Sequence, residues 1–257
     1  MPRKLGQHFL IRDSILERLA AAACGNHTHR VIEIGPGRGA LTRHLLSRTD
    51  ELHAIEIDEL LVHILRSKFA QESNLYIHRG DVLETDLAQW GDAVIAGNLP
   101  YYITSPIIDR FLALDQRFPR AVFLVQWEVA ERLLAEPGTR AYGFLTVATQ
   151  LVCSVDLVCR VPAAAFHPPP KVESAAVGLH RKQLVPAELR EVIRFAARCF
   201  THKRKTLRNN LRPFYGALID DLPEASLRAE QLPLDALLRL YRELVEKSKE
   251  NATSSVH

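Results

Sequence analysis

The sequence lacks the features that mark a membrane protein or a secreted protein. No run reaches the roughly 18 apolar residues that a membrane helix needs. The N-terminal stretch is basic, but it contains no apolar core of the length found in signal peptides. We therefore expect a cytoplasmic protein that makes no contact with a membrane.

Cysteine is also scarce. The chain has four, Cys24, Cys153, Cys159 and Cys199, which form no C-x-x-C pair. No metal site is therefore expected. In a chain of 257 residues, such cysteines are more typical of buried free thiols than of a disulfide framework.

What the sequence does contain is an alternation of strand-like and helix-like segments. Short apolar runs that end in Gly, Asp, Asn or Gln predict buried strands at Val31–Gly35, Leu52–Ile57, Leu75–Asp81, Ala93–Leu99 and Ala121–Gln126. Amphipathic stretches at Leu41–Arg48 and Glu59–Phe69 lie between them, and Asp58 can cap the second. Ser105-Pro106 is typical of a helix N-cap followed by its first residue. This order predicts an α/β fold with a doubly wound, mostly parallel sheet.

The second half of the chain predicts a different organisation. A helix-like run, Tyr142–Leu151, precedes two alternating runs, Ser154–Val161 and Val172–Leu179, which could close the sheet antiparallel. Beyond about residue 184 only helical patterns remain. We predict a large domain over residues 1–183, a boundary near Gln183–Pro186, and a small helical domain over residues 184–257 with a frayed polar tail, Glu246–His257.

The net charge of +3 conceals an asymmetry. Residues 181–215 hold ten Lys or Arg and two Glu, a local charge of +8, so the rest of the chain carries −5. A basic block on an acidic protein suggests contact with a polyanion, and nucleic acid is the first candidate. A solvated helix face is the alternative, which charge alone does not exclude. Within this block we predict a basic helix whose RNA-phosphate contacts are Lys203, Arg204, Lys205 and Arg208.

A glycine-rich segment follows the first predicted strand. In Val31–Ala40 a strand ends in glycines and a helix begins, and glycine permits both a tight turn and a close approach of the backbone to a ligand. Gly35, Gly37 and Ala40 also fit the G-x-G-x-x-G/A pattern of dinucleotide-binding proteins. The segment therefore indicates a nucleotide-type ligand without choosing one, and a purely structural turn remains an alternative.

Acids stand at the ends of the next two predicted strands, where open α/β sheets bind their ligands. Glu56 could accept hydrogen bonds from ribose hydroxyls. Asp81 could accept one from the exocyclic amine of an adenine ring, and Val82, which follows it, is also predicted to bind the cofactor. A lone acid at a strand end can instead cap a helix, and that interpretation fits Asp58 better than Glu56.

The fourth predicted strand ends in Asn98-Leu99-Pro100-Tyr101, which is typical of a site that holds an aromatic amine. The Asn98 side-chain oxygen and the Leu99 carbonyl could accept hydrogen bonds from the two N–H groups of an adenine amine. These two bonds would orient the nitrogen lone pair for in-line attack. Pro100 restricts Leu99 to extended conformations, and Tyr101 offers a face for stacking the base. The alternative is an ordinary turn, since Asn and Pro favour turns.

With these motifs together, the sequence resembles the ribosomal RNA adenine dimethyltransferase family, in its bacterial small-subunit (16S) branch. The resemblance covers about Leu5 to Arg212. Its motifs are Gly6–Leu10, Glu33–Gly37, Glu56–Asp58, Gly80–Asp81, Asn98–Tyr101, Gln126–Arg132 and Phe166–Ser174. The run Cys199–Leu211 is similar to the small-subunit enzymes, whereas the large-subunit enzymes that confer macrolide resistance lack it.

The resemblance implies a Rossmann-like methyltransferase that uses S-adenosylmethionine. The implied target is a pair of adjacent adenines near the 3′ end of small-subunit RNA, within the small ribosomal subunit or its precursor, and the implied product is N6,N6-dimethyladenosine. Phe166 would flank the target base opposite Tyr101, and a monomer is expected. The residues implied to cover or contact the cofactor are His8, Leu10, Gly35, Glu56, Asp81 and Asn98, although the family often has Asn where this chain has His8.

Three alternatives stay open from the sequence. The same chemistry could act on large-subunit RNA or on DNA. The protein could be a ribosome-assembly factor in which catalysis is secondary. A dinucleotide oxidoreductase would fit the glycine-rich segment, but it would leave Asn98–Tyr101 unexplained.

Overall fold

The computed structural model describes residues 8–183 and 187–254. The strands are β1 (Phe9–Leu10), β2 (Thr28–Ile34), β3 (Thr49–Glu56), β4 (Leu75–Arg79), β5 (Val94–Asn98), β6 (Arg120–Gln126), β7 (Cys153–Val161), β8 (Phe166–His167) and β9 (Ser174–Arg181). The α-helices are α1 (Asp13–Cys24), α2 (Thr42–Leu46), α3 (Glu59–Lys68), α4 (Thr104–Ala113), α5 (Trp127–Leu133), α6 (Phe144–Val152), α7 (Leu189–Cys199), α8 (Leu207–Tyr215) and α9 (Leu234–Ser254). Residues 1–7, which include the Gly6-Gln7 part of the N-terminal motif, residues 184–186 of the predicted boundary and residues 255–257 lie outside the described residues.

The chain divides into two compact units. The first contains Met1–Ala130 and Cys153–Gln183, and the second contains Glu131–Val152 and Leu184–His257. The prediction that the larger domain takes all of residues 1–183 is therefore wrong for Glu131–Val152. This segment packs with the C-terminal helices, where the Tyr142 hydroxyl donates to the Leu232 carbonyl at 3.0 Å. Among the residues that the model describes, no helix is long and apolar enough to cross a membrane.

The first unit is built on a sheet with the strand order β4-β3-β2-β5-β6-β9-β7. The strands from β4 to β6 are parallel, whereas β9 runs antiparallel between β6 and β7. The predicted doubly wound, mostly parallel sheet is confirmed, as is its antiparallel closure. Since the strand order reverses between β2 and β5, the carboxyl ends of these two strands form the crevice where such sheets bind ligands.

Apolar helices cover the sheet and hold those strand ends in place. Helix α1, which the sequence analysis did not predict, contributes Leu16, Leu19 and Ala23 to a core that also contains Val94 and Leu124 of the sheet. Helix α3 begins as predicted, with Asp58 Oδ1 accepting a hydrogen bond from the Leu60 amide at 2.9 Å. The acid beside Glu56 is thus a helix cap.

Helix α4 begins earlier than predicted. A 3₁₀ turn, Tyr101–Ile103, leads directly into α4 at Thr104, so Ser105 and Pro106 lie inside its first turn. Proline is tolerated there because the first amides of a helix have no intrahelical acceptor. The Thr104 hydroxyl donates to the Pro100 carbonyl at 3.2 Å, which ties the helix start to the end of β5.

The second unit corrects two predictions about the C-terminal region. Residues 199–211 do not form one helix, because α7 ends at Cys199 and α8 begins at Leu207. The Thr206 side chain caps α8, and Asn210 Nδ2 donates to the Cys199 carbonyl at 2.8 Å, which satisfies the end of α7. The predicted fraying from Glu246 is also wrong, since α9 continues to Ser254.

Candidate active site

The first unit contains a cavity of about 430 Å³ at the carboxyl ends of β2, β3, β4 and β5. A volume in the range of about 300–1,000 Å³ is typical of small-molecule sites. Most of the predicted site residues lie in its wall: His8, Leu10, Gly35, Gly37, Glu56, Asp81, Val82, Asn98, Leu99, Pro100 and Tyr101. The four strand ends that the sequence singled out therefore meet in one crevice.

The glycine-rich turn after β2 has a conformation that favours glycine. Gly35 has φ +65° and Gly37 has φ +58°, in the left-handed region that side chains rarely adopt. A Cβ on Gly37 would also lie 3.1 Å from the Phe9 ring. The turn therefore brings bare backbone up to the cavity, as a nucleotide-type ligand requires.

Glu56 at the end of β3 connects this turn to the start of α3. Its two carboxylate oxygens accept hydrogen bonds from the amides of Gly37, at 3.1 Å, and Asp58, at 3.0 Å. The side chain is buried, and burial raises the pKa of its carboxyl although the backbone hydrogen bonds oppose the shift. Glu56 is thus held in one orientation at the cavity wall, with remaining lone pairs available to a hydroxyl donor.

Glu33 also lines the cavity, and the sequence analysis assigned it no role. It is 1% exposed, and Oε2 accepts a hydrogen bond from the Thr42 hydroxyl at 2.7 Å. Burial raises the pKa of Glu33 to about 8, against the Thr42 hydrogen bond, and the nearby charge of Glu56 adds to the rise. A carboxyl at this position is therefore largely protonated at neutral pH. No local sequence pattern distinguishes a buried acid from an exposed one inside an apolar strand.

Asp81 lies in a turn that follows β4. Its Oδ1 accepts a hydrogen bond from the Leu83 amide at 2.8 Å, and no described residue donates to Oδ2. Arg110 of α4 stabilises this turn by donating hydrogen bonds to the carbonyls of Leu83 and Thr85. One oxygen of Asp81 thus builds the turn, while the other is available to a ligand donor.

The turn after β5 presents the groups predicted to hold an amine. Asn98 Nδ2 donates to the His8 carbonyl at 3.2 Å, which leaves Oδ1 without a donor among the described residues. The Leu99 amide donates to the Leu124 carbonyl at 3.1 Å. The Tyr101 hydroxyl lies 2.8 Å from the hydroxyl of the buried Ser174, so the ring has a fixed position. Burial raises the pKa of Tyr101.

The N-terminal segment crosses the cavity beside Tyr101. Strand β1 pairs antiparallel with β8, and His8 Nδ1 lies 2.7 Å from the Pro168 carbonyl. The His8 ring is stacked near Tyr101, with 5.8 Å between the ring centroids. Both residues line the cavity, but the ring nitrogen of His8 that contacts Pro168 is committed within the protein.

Phe166 is the predicted site residue that the structure does not bring to the cavity. Its side chain is buried with Leu10 in the core of the first unit, and the neighbouring His167 lines the cavity. Side chains alternate between the two faces of a strand, so these two adjacent residues point in opposite directions, with Phe166 on the side of the core. The contact of Phe166 with the target base therefore stays a prediction.

The four predicted RNA contacts lie in the second unit, and they differ in whether the side chain already has a partner within the protein. Lys203 Nζ donates to the Arg140 carbonyl, and Arg208 pairs with Asp220 at 3.1 Å. Arg204 and Lys205 are exposed in the turn between α7 and α8, and neither forms an ion pair with a described residue. The free positive charge of this run therefore lies on Arg204 and Lys205.

Fold and site together define the class of protein as a Rossmann-like methyltransferase, with a glycine-rich turn after the first strand of the sheet and an Asn-Leu-Pro-Tyr turn after the fourth in chain order. The family model described as ribosomal RNA adenine dimethylase matches residues 1–241. The chain belongs to this family.

Relatives of known name support the assignment. The ribosomal RNA small subunit methyltransferase A of Synechococcus elongatus is 40% identical over an alignment that covers 94% of this chain and 94% of the relative. A dimethyladenosine transferase from Plasmodium falciparum superposes with a TM-score of 0.81 at 27% identity, over 95% of this chain and 98% of that chain. The 23S rRNA methyltransferase ErmE superposes with a TM-score of 0.70 at 30% identity, over 92% of this chain and 99% of that chain.

Proposed function

We propose that the protein transfers methyl groups from S-adenosylmethionine to the N6 amino groups of two adjacent adenines near the 3′ end of small-subunit ribosomal RNA. The product is N6,N6-dimethyladenosine. The observation that carries this proposal is the single cavity that joins Gly35, Glu56 and Asp81 to the Asn98–Tyr101 turn. The names of the relatives support ribosomal RNA as the substrate and dimethylation as the reaction.

The cavity fits S-adenosylmethionine in size and in the chemistry of its wall. Gly35 and Gly37 give close access to backbone, Glu56 has lone pairs for ribose hydroxyls, and Asp81 Oδ2 can accept from the adenine amine of the cofactor. Val82 is buried beside Asp81 and supplies an apolar surface for the ring. The cofactor, when bound, supplies an electrophilic methyl group on a sulfonium.

The protein's own contribution to the reaction is to orient the target amine. In this proposal Asn98 Oδ1 and the Leu99 carbonyl accept hydrogen bonds from the two N6–H groups and direct the nitrogen lone pair towards the methyl group. Tyr101, fixed through Ser174, stacks on the base. Catalysis then comes mainly from positioning, which can supply about 7–11 kcal/mol of the barrier.

The first transfer would break the sulfonium S–CH₃ bond and form an N6–CH₃ bond, with S-adenosylhomocysteine as the by-product and one N6 proton released to water. The amine would then have one N–H donor in place of two, so either Asn98 or Leu99 would lose its partner. The base would remain held by the stacking contact with Tyr101, so a second transfer could follow once a second S-adenosylmethionine has bound. Apart from the stacking ring of Tyr101, nothing in the turn is bulkier than Leu99, whose backbone faces the amine in this arrangement. This order makes the monomethyl form transient.

The proposed setting is cytoplasmic, with small-subunit RNA in the small ribosomal subunit or its precursor as the partner and with the enzyme acting as a monomer. Arg204 and Lys205 would contact RNA phosphates, since their charges are not neutralised within the protein. Lys203 and Arg208 would attract RNA phosphates more weakly, because each already has a partner within the protein.

The test is transfer of a labelled methyl group from S-adenosylmethionine to three acceptors. These are small subunits and large subunits from cells that lack this activity, and double-stranded DNA. The proposal expects label only in small-subunit RNA, in adenine. Label in large-subunit RNA or DNA would assign another substrate, and binding of NADH in calorimetry would point instead to a dinucleotide enzyme.

A further inference from the structure

Helix α7 in the second unit has an exposed face that the proposed function leaves unused. Arg190, Arg194 and Arg198 follow one another at intervals of four residues, so they lie in a row along one side of the helix. With a rise of about 1.5 Å per residue, successive arginines are separated by about 6 Å along the axis. We name these three residues the α7 arginine row.

The charges of this row are mostly unneutralised. Among the described residues Arg190 has no ion pair, and Arg194 has only a contact of 3.9 Å to Glu191, with side chains 71% and 52% exposed. Exposed ion pairs of this kind contribute little to the stability of the folded protein. Arg208 and Arg212 of α8, by contrast, both pair with Asp220.

An exposed aromatic ring stands at the end of the row. The Phe214 side chain is 52% exposed, and the Arg198 guanidinium lies 4.3 Å from its ring centroid. A guanidinium that packs on a ring limits its movement, so Phe214 presents a pre-oriented aromatic surface beside a row of cations.

Stability of the second unit does not account for this face. The opposite side of α7 makes the packing contacts, with Val192, Phe195, Ala196 and Cys199 buried. The Phe195 ring lies 5.5 Å from that of Tyr241 on α9. Arg190 and Arg194 are exposed outside these contacts, whereas Arg198 is half-buried and packs on Phe214.

We infer that the α7 arginine row and Phe214 form an RNA-binding surface that stacks an unpaired base on Phe214 and contacts the adjoining phosphates through the arginines. An aromatic face beside arginines is the chemistry by which proteins bind single-stranded RNA, whereas a paired helix hides its base faces. The inference rests on the proposed function for the identity of the polyanion. It adds a surface distinct from the turn that carries Arg204 and Lys205, and it assigns that surface to an unpaired segment.

The test measures binding of the full-length protein to fluorescein-labelled oligoadenylate and to the oligoadenylate–oligouridylate duplex. Phe214→Leu keeps an apolar side chain but removes the aromatic face, and we expect it to weaken oligoadenylate binding at least about 5-fold, the lower bound for removal of one stacked base. Duplex binding should stay unchanged, and Phe214→Tyr should restore the affinity for the single strand.

The arginines are tested by the salt dependence of the same binding. Replacing Arg190 and Arg194 with Gln should flatten the slope of log affinity against log salt by about 0.7 for each arginine that binds a phosphate. Arg239→Gln is the matched control, because this α9 side chain is 67% exposed and pairs locally with Asp235. Arg198 is left intact because it packs on the ring of Phe214.

Three results would overturn the inference. Phe214→Leu could bind oligoadenylate as tightly as the unmodified protein, or it could lose the duplex equally. The Arg190 and Arg194 variants could also behave as Arg239→Gln does, which would leave this face to solvent or to an acidic protein. None of these readings uses methyl transfer, so labelling of small subunits by the unmodified protein tests the proposed function separately.

Discussion

Replacement of Glu33 by Gln should stabilise the first unit increasingly as the pH rises. In the folded protein burial raises the pKa of Glu33 to about 8, from an ordinary value of 4.5. Between these two values the folded carboxyl keeps a proton that the unfolded chain has released, so stability falls as the pH increases. The substituted glutamine has no proton to lose, and its amide oxygen can still accept the Thr42 hydroxyl.

The size of the effect follows from the width of that pH window. Each pH unit inside it costs the unmodified protein about 1.4 kcal/mol, which gives about 3 kcal/mol between about pH 5 and about pH 7.5. The stability of Glu33→Gln minus that of the unmodified protein should therefore grow by about 3 kcal/mol over this range. Other titrating groups cancel in the difference because they are common to both proteins, except Glu56, whose charge contributes to the raised pKa of Glu33.

Urea unfolding followed by tryptophan fluorescence measures this difference in the stability of the first structural unit. The two tryptophans of the chain, Trp90 and Trp127, both lie in the first unit. Glu17→Gln is a control that should change little over this range, because hydrogen bonds from Arg48 and His44 lower the pKa of Glu17 from its ordinary value of 4.5, so this carboxyl is ionised in both the folded and the unfolded protein. A difference for Glu33→Gln that does not change with pH would refute the argument that burial keeps this carboxyl protonated.

Three further predictions concern the proposed cofactor, the base and the RNA. Asp81→Asn keeps an acceptor for the Leu83 amide but removes the charge, so calorimetry should show S-adenosylmethionine binding weakened by about 1–3 kcal/mol, and unchanged affinity would remove Asp81 from the site. Tyr101→Ala should bind the cofactor normally but lose most methyl transfer in single-turnover assays, whereas Tyr101→Phe should retain much of it. Equal rates of methyl transfer by these two variants would exclude a stacking role for Tyr101. Replacing Arg204 and Lys205 with Gln should flatten the salt dependence of RNA binding by about 0.7–0.9 per contact in filter-binding titrations, and an unchanged slope would mean that this turn faces solvent.

The sequence predicted the sheet and the crevice because both depend on local patterns. Buried parallel strands are short apolar runs. Because parallel strands run in the same direction, the residues that follow them lie at the same edge of the sheet. Gly35, Glu56, Asp81 and Asn98 could therefore be placed in one site from the sequence alone. The Asp58 cap was likewise visible, because a capping side chain acts on its own helix.

The features that the sequence did not predict depend on contacts distant in the chain. Phe166 and His167 are adjacent, and only the pairing of β8 with β1 decides which one points to the core. Tyr142 belongs with the C-terminal helices through Leu232, ninety positions away, so a boundary drawn along the chain could not assign it. The protonation of Glu33 depends on complete burial, which three-dimensional packing alone determines.

The central claim is that the Asn98–Tyr101 turn holds an adenine amine for two successive methyl transfers. The most direct test is a time course with small ribosomal subunits from cells lacking the activity, with RNA digestion and quantification of nucleosides by mass spectrometry. The account predicts N6,N6-dimethyladenosine as the end product, a transient monomethyl form, and loss of both in Asn98→Ala. Stable accumulation of monomethyladenosine by the unmodified protein, or wild-type rates in Asn98→Ala, would contradict it.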